Sequence, residues 1–160
     1  MRFLLEGALI LLRNSEEFGS NHSVRTRFES PEMNAFIDAN MMKQVFWNLA
    51  KNSIKATPGG GTLTVSVSRD GASSVVVSFA DDGVGMSESE MRRAFEPFQT
   101  NFSEGTGLGL AVVFRIVEEH RGRIRVRSRL GKGTEVLVTL PAAPGIVMAG
   151  EIAGAAEAAS

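Results

Sequence analysis

Two β-hairpin patterns, each preceded by a long helical pattern, constrain the fold of this 160-residue chain more than any other feature. β-branched runs flank short turns at Arg69-Asp70-Gly71-Ala72 and at Leu130-Gly131-Lys132-Gly133, which is typical of hairpins. The first helical pattern ends at the breaker Pro58-Gly59-Gly60-Gly61. Hairpins with helices between them predict an α+β fold, a two-layer α/β sandwich whose mixed, mostly antiparallel sheet is covered by helices on one face.

The same patterns set the expected bounds of the elements. The predicted strands cover residues 23–29, 35–37, 62–68, 74–80, 124–129 and 134–140. The two long helices are predicted over residues 38–57 and 110–120. A further helix at the start of the chain is too short to span a bilayer, which needs about 20 residues. Its expected apolar face consists of Leu4, Ala8, Leu11 and Leu12.

Composition excludes several classes of site. Seventeen Lys and Arg against eighteen Asp and Glu leave a net charge of −1, so the chain as a whole does not attract nucleic acid or an anionic membrane. The absence of cysteine excludes disulfides, thiolate catalysis and cysteine zinc sites. With only His22 and His120, a histidine-rich metal site is also excluded.

The helix predicted over residues 38–57 carries a polar stripe. At 100° per residue, four side chains fall within an arc of about 80°: Gln44, Asn48, Asn52 and Lys55. Amides are poor helix formers, so two of them in line with a lysine indicate a function. Their carbonyl oxygens suit Mg²⁺ and the ammonium group suits a phosphate. A solvated polar stripe explains the pattern equally well.

Two glycine-rich segments add candidate ligand contacts. Asp81 precedes Gly83 and Gly85 at a strand end, where glycine lets the backbone pass close to a ligand and the carboxylate offers an acceptor. An Asp-Gly turn leading into a helix has the same sequence. The segment Gly105–Gly109 opens the second long helix with backbone N–H groups that suit an anion. It lacks the context of a Rossmann or P-loop site.

Arginines at 121, 123, 125, 127 and 129 alternate with other residues, so a strand would place all five on one face. No aromatic residues interleave and the chain is not basic, which disfavours a nucleic-acid stripe. We interpret the row as a solvated sheet edge or outer face.

Five ordered motifs resemble those of sensor histidine kinases over residues 23–141. The segment 38–56 resembles their N box. Asp81-x-Gly83-x-Gly85 resembles their G1 box, and Phe95-Glu-Pro-Phe98 resembles their F box. Gly105-Thr-Gly-Leu-Gly-Leu110 resembles their G2 box. Three further segments resemble the end of the same domain: His120-x-Gly122, Gly131-x-Gly133-Thr134 and Leu140-Pro141. The resemblance implies the Bergerat ATP-binding fold, shared with gyrase, heat-shock chaperone and mismatch-repair ATPases.

The resemblance implies ATP and Mg²⁺ as cofactors. Asp81 would accept a hydrogen bond from the adenine amino group, and Thr134 would support that contact. Asn52 would ligate Mg²⁺ with Asn48 beside it, and Lys55 would contact a phosphate; these three are the expected catalytic residues. The other expected ATP-binding residues lie near a mobile lid between residues 86 and 105: Gly83, Gly85, Met86, Phe98, Gly105, Thr106, Gly107, Leu108, Gly109 and Leu110.

The resemblance also implies a larger protein. Such kinases phosphorylate a histidine in a His-Glu or His-Asp context on a dimerising hairpin, and neither His22 nor His120 has that context. We expect residues 1–14 to be the end of this hairpin with its linker, 15–142 the ATP-binding domain and 143–160 a flexible tail. The glycine usual after His120 is replaced by Arg121, which we expect to be harmless.

The expected partners are the hairpin and a response regulator receiver domain. We expect a cytoplasmic chain without nucleic-acid or direct membrane contact, even if the parent kinase is membrane-anchored. In isolation it should be a monomer, or a weak dimer through an exposed apolar face of residues 3–12.

Two other functions fit parts of the pattern. Anti-sigma serine kinases and gyrase-type ATPases of the same superfamily carry a glutamate at the position of Asn48, where it activates a hydroxyl or water. An amide cannot accept a proton, so transfer to an imidazole is favoured. The other function is a non-catalytic nucleotide sensor, which the complete set of nucleotide-contacting positions disfavours.

Overall fold

A computed structural model describes residues 1–29, 34–96 and 109–143, which contain five strands and four helices. The strands are β1 His22–Phe28, β2 Gly61–Asp70, β3 Ser74–Asp81, β4 Arg123–Ser128 and β5 Thr134–Pro141. The helices are α1 Arg2–Arg13, α2 Ala39–Lys55, α3 Glu88–Arg93 and α4 Gly109–Glu119. The five strands and the two long helices lie within two residues of their predicted bounds.

One mixed sheet forms the base of the domain. Its strand order is β1-β2-β3-β5-β4. The strands β1 and β2 are parallel, and the other neighbours are antiparallel. The predicted α+β class is therefore confirmed.

The predicted short strand 35–37 is wrong in extent. Only an isolated antiparallel bridge joins Ala35 to Ala142. The chain must leave the sheet at once because Asp38 caps α2, where its carboxylate accepts the N–H groups of Asn40 and Met41 at 2.8 and 3.0 Å.

The core lies between the helices and one face of the sheet. Alternate residues of β2, β3 and β5 point toward the helices and are buried. The rings of Phe46 on α2 and Phe79 on β3 are fully buried, with centroids 5.9 Å apart. Burial of such a side chain contributes about 1.5–3 kcal/mol, so this contact fixes α2 across the centre of the sheet.

The helix α1 belongs to this core, with a face that differs from the predicted one. The buried residues are Leu5, Ala8, Leu9 and Leu12, whereas Leu11 is 63% exposed. The side chains of α1 and α2 share one core cluster. Within the described ranges, no helix is long and apolar enough to cross a membrane.

Arg121 takes a backbone conformation that favours glycine. Its φ is 54°, and it follows the C-terminus of α4. A left-handed conformation costs a residue with a side chain about 1–2 kcal/mol. The replacement of glycine here is therefore not neutral for stability, contrary to the expectation from sequence.

Candidate nucleotide-binding site

The polar stripe of α2 lies at the edge of the helix layer. Asn48, Asn52 and Lys55 are half-buried, whereas Gln44 is exposed. A Cβ atom built on Gly109 would lie 3.8 Å from both Nδ2 and Oδ1 of Asn52. The Asn52 amide therefore lies beside the first residue of α4, and the structure brings together residues from two of the predicted motifs.

The side chains of this stripe are not engaged by the protein. Within the described ranges, the side chains of Asn48, Asn52 and Lys55 make no hydrogen bond or ion pair with another residue. Half-buried amides normally find a partner in a folded domain. Among the described residues, these polar groups therefore have no protein partner that a ligand would need to displace.

Asp81 ends β3 opposite Thr134, the first residue of β5. Its Oδ1 accepts the N–H groups of Gly83 at 3.1 Å and Thr134 at 3.2 Å. Burial raises the pKa of the Asp81 carboxyl and outweighs the hydrogen bonds from Gly83, Thr134 and Ser53, which lower it. The carboxylate is thus oriented by the backbone as an acceptor.

Gly83 and Gly85 are required by the protein's own backbone. A Cβ on Gly83 would collide with the carbonyl oxygen of Ala56, and a Cβ on Gly85 with that of Arg129. The chain passes so close because Val84 N–H donates to Ala56 O at 2.9 Å. Close backbone contacts within the protein therefore explain why glycine is needed at positions 83 and 85, whereas the sequence analysis attributed it to the approach of a ligand.

Ser128, at the end of β4, connects the segment after β3 to the β4–β5 turn. Its Oγ accepts the N–H of Met86 at 2.8 Å and donates to Gly133 O at 2.9 Å. The Oγ1 of Thr134 lies 2.8 Å away. Sequence reasoning missed this residue. One signal was present in the sequence. Ser128 is polar, whereas Ile124 and Val126, which precede it on the same face of β4, are apolar.

Comparison with known proteins identifies the family that shares this arrangement. The model of the family described as histidine kinase-, DNA gyrase B-, and HSP90-like ATPase matches residues 37–144. The chain belongs to this ATPase family. The family assignment covers the polar stripe, Asp81, Ser128 and Thr134.

Individual relatives include proteins named as kinases and a solved histidine kinase domain. Sporulation kinase E of Bacillus subtilis (strain 168) is 44% identical over 106 residues, which are 66% of this chain and 14% of that protein. The nucleotide-free catalytic domain of the histidine kinase ThkA has a TM-score of 0.78 at 27% identity, covering 88% of this chain and 91% of that chain. Full-length ShkA in complex with AMPPNP has a TM-score of 0.75 at 30% identity, covering 88% and 29%.

These matches confirm the predicted resemblance to the catalytic ATP-binding domain of sensor histidine kinases. The chain spans only 14% of sporulation kinase E and 29% of the ShkA chain. It therefore corresponds to one domain of those longer relatives.

Part of the site predicted for this family lies outside the described residues. Residues 97–108 include the second part of the predicted lid and five predicted ATP-binding residues: Phe98, Gly105, Thr106, Gly107 and Leu108. Gly109 and Leu110, which follow them, form the half-buried start of α4.

Both histidines of this ATPase domain have structural partners. The Nδ1 of His22 accepts the N–H of Gly19 at 2.9 Å, and its Nε2 donates to Thr57 O at 2.9 Å. The Nε2 of His120 accepts the N–H of Asp38 at 2.8 Å, while its Nδ1 donates to a carbonyl one turn earlier in α4 at 2.7 Å. The two rings thus connect the two ends of α2 to neighbouring segments of the domain.

The arginine row of β4 lies on the face of the sheet opposite the helices. Arg123, Arg125 and Arg127 are exposed, and the Nη1 of Arg127 lies 3.4 Å from Oε2 of Glu135. Three of the five arginines thus lie on a solvated outer face, as interpreted from the sequence, whereas Arg121 and Arg129 lie outside β4.

Proposed function

We propose that this domain binds Mg–ATP between the polar stripe of α2, the carboxylate that ends β3 and the first turn of α4. It is the catalytic module of a larger protein-histidine kinase and transfers the γ-phosphoryl group to a histidine on a dimerisation hairpin outside this sequence. Two observations carry the proposal: the amide of Asn52, unpartnered among the described residues, lies beside Gly109, and backbone N–H groups orient the carboxylate of Asp81.

Asp81 serves the base end of the nucleotide. An ionised carboxylate accepts hydrogen bonds only, so it suits the exocyclic amino group of adenine. Thr134 supports the contact because its side chain leaves β5 directly opposite Asp81. Gly83, Gly85 and Met86 place the backbone that follows Asp81 around the base.

Asn52 and Lys55 serve the phosphate end, with Asn48 beside them. Mg²⁺ prefers oxygen ligands and at nucleotide sites is held by one or two protein groups together with phosphate oxygens and water. The Oδ1 of Asn52, beside Gly109, fits that requirement. Bound Mg²⁺ neutralises charge that develops on the phosphates. The start of α4, at Gly109 and Leu110, adds the favourable end of a helix dipole.

The amide at position 48 favours phosphoryl transfer over hydrolysis. A positioned base accelerates attack by water or a hydroxyl roughly 10²–10⁴-fold, and an amide cannot take that proton. An imidazole nitrogen has a lone pair that attacks without prior deprotonation. A histidine acceptor is therefore preferred to the serine acceptor of the anti-sigma kinases.

The proposed partners follow from this reaction. They are the dimerisation hairpin, which supplies the histidine, and the receiver domain of a response regulator. We further propose a cytoplasmic location, no contact of this domain with nucleic acid or membrane, and a monomeric state. The burial of Leu5, Leu9 and Leu12 of α1 within the domain supports the monomer, while the exposed Phe3, Ile10 and Leu11 leave a surface for the alternative, a weak dimer.

Titration of the domain with Mg–ATP and Mg–GTP by isothermal calorimetry tests the binding site. ATP should bind, and GTP should bind at least about tenfold more weakly. GTP has a carbonyl oxygen where ATP has its amino group, and loss of a hydrogen bond to a charged group costs about 1.5–3 kcal/mol. Equal affinities, or no binding of either nucleotide, would contradict the proposal.

A further inference from the structure

We propose that Ser128 is a positioning residue that determines base specificity. Its hydroxyl fixes the hydroxyl of Thr134 as a hydrogen-bond acceptor toward the nucleotide, which favours a purine with an amino group at position 6 over one with a carbonyl. The inference rests on the proposed function, because it takes the base to lie against Asp81 and Thr134.

The direction of each hydrogen bond follows from counting hydrogens around Ser128. A serine hydroxyl has one hydrogen to donate and two lone pairs that accept. The carbonyl oxygen of Gly133, 2.9 Å away, can only accept, so it takes the single hydrogen. The N–H of Met86, at 2.8 Å, can only donate, so it uses one lone pair.

The remaining contact of Ser128 is with Thr134, at 2.8 Å between the two hydroxyl oxygens. Because Ser128 has no hydrogen left, Thr134 must donate to its second lone pair. A threonine hydroxyl also has only one hydrogen. Thr134 Oγ1 therefore offers only lone pairs to any other neighbour.

The result is a pair of acceptors at the base end of the site. Thr134 and Asp81 occupy paired positions in β5 and β3, so their side chains lie on one face of the sheet. The ionised carboxylate accepts, and the oriented hydroxyl accepts. Two acceptors match an amino group, directly or through a water molecule that donates to them, and oppose a carbonyl oxygen.

Removal of the Ser128 hydroxyl should weaken this specificity. Without its acceptor, the hydroxyl of Thr134 is free to rotate and to donate to a carbonyl oxygen. A merely structural contribution of Ser128 would instead weaken the binding of all purine nucleotides alike. The ratio of two affinities separates these effects, whereas a single affinity does not.

The experiment compares dissociation constants for Mg–ATP and Mg–ITP, since inosine triphosphate carries a carbonyl at position 6. In the unaltered domain, ITP should bind at least about tenfold more weakly. In Ser128→Ala, the ratio of the ITP to the ATP constant should fall about fivefold, the equivalent of one ordinary hydrogen bond. Ser128→Thr keeps the hydroxyl and should preserve the ratio.

Ser66→Ala is the matched control, because Ser66 is a half-buried serine of β2 that makes no side-chain hydrogen bond within the described ranges. It should change neither constant. The same comparison in a Thr134→Val background tests whether Ser128 acts through the hydroxyl of Thr134. In that background Ser128→Ala should leave the ratio of the two constants unchanged.

An unaltered ratio in Ser128→Ala, with both constants raised equally, would overturn the inference. A fall of the ratio that persists in the Thr134→Val background would also overturn it. Failure of the unaltered domain to bind ATP would instead contradict the proposed function. Ser128→Thr keeps the inference testable if the alanine variant does not fold, because loss of base discrimination in a folded threonine variant would refute it.

Discussion

The two ends of the proposed site are built in different ways. At the base end, Asp81, Ser128 and Thr134 are joined to each other and to backbone groups by hydrogen bonds of 2.8–3.2 Å. At the phosphate end, the side chains of Asn52 and Lys55 have no hydrogen-bond or ionic partner among the described residues. Among the described residues, the polar groups of the base end are therefore paired within the protein, whereas those of the proposed phosphate end are not.

This difference has a thermodynamic consequence. Substitutions at the base end should alter the stability of the domain as well as nucleotide binding, since they remove interactions of the free protein. Substitutions at the phosphate end should alter binding alone.

Gly85→Ala should disrupt the base end. Gly85 has a φ of 68°, and an added Cβ would collide with Arg129 O. Gly131 has nearly the same φ, 69°, but open space around it. Gly131→Ala should therefore lower the free energy of unfolding by about 1 kcal/mol, the cost of the left-handed conformation. Gly85→Ala should lower it by about 1–3 kcal/mol more and abolish ATP binding.

Denaturant unfolding and ATP titration of both variants provide the measurement. Equal destabilisation by the two alanines would show that the close approach of the backbone at Gly85 does not matter. The base end would then be less rigid than the hydrogen bonds indicate.

Asp81→Asn should weaken ATP binding more than tenfold without lowering stability at neutral pH. The amide oxygen can still accept the N–H groups of Gly83 and Thr134, while the carboxylate that accepts from adenine is lost. Calorimetry for ATP and thermal unfolding check the two parts. Unchanged ATP affinity in a folded variant would refute the role of Asp81.

Asn52→Ala should affect binding only. ATP affinity in the presence of Mg²⁺ should fall about tenfold, in the range found for disturbed metal sites. Affinity without Mg²⁺ should change little, and the free energy of unfolding should stay within about 0.5 kcal/mol. Gln44→Ala, on the same helix face but exposed, is the control. An equal loss of ATP affinity with and without Mg²⁺ would argue against metal ligation by Asn52.

The pH dependence of stability should show the smallest effect. The folded pKa of Asp81 lies above its ordinary value of 3.8 because of burial, so the folded state binds this proton more tightly than the unfolded state. The associated stability is present below pH 3.8 and is lost as pH rises through the folded pKa. The stability advantage of Asp81→Asn over the unaltered protein should grow across that range and then level off.

Denaturant unfolding of both proteins across the acidic range checks this sign. An advantage that shrinks with rising pH would mean that the hydrogen bonds to Asp81 outweigh its burial.

Local patterns were sufficient for much of the fold and of the phosphate end. The hairpin turns and the amide stripe of α2 are each specified within a few neighbouring residues. The sequence also indicated Asp81 and Thr134 as partners in function. It did so through resemblance rather than through their pairing in the sheet.

Contacts between distant segments could not be predicted. The role of Ser128 depends on Met86, 42 residues away, and the need for Gly85 depends on the carbonyl of Arg129. The buried face of α1 was misassigned because this short helix has apolar residues on nearly every side. Packing against α2, and not the sequence pattern, therefore sets which side of α1 is buried. Leu11 is exposed for that reason.

The central claim is that this domain transfers phosphate to a histidine rather than to water, and incubation with γ-labelled ATP tests it most directly. Alone, the domain should bind Mg–ATP, hydrolyse it very slowly and acquire no label, since Asn48 cannot act as a base and both histidines are held by protein partners. With the dimerisation hairpin of its parent protein added, acid-labile label should appear on a hairpin histidine. Rapid hydrolysis by the domain alone, or acid-stable label on a serine, would contradict the account.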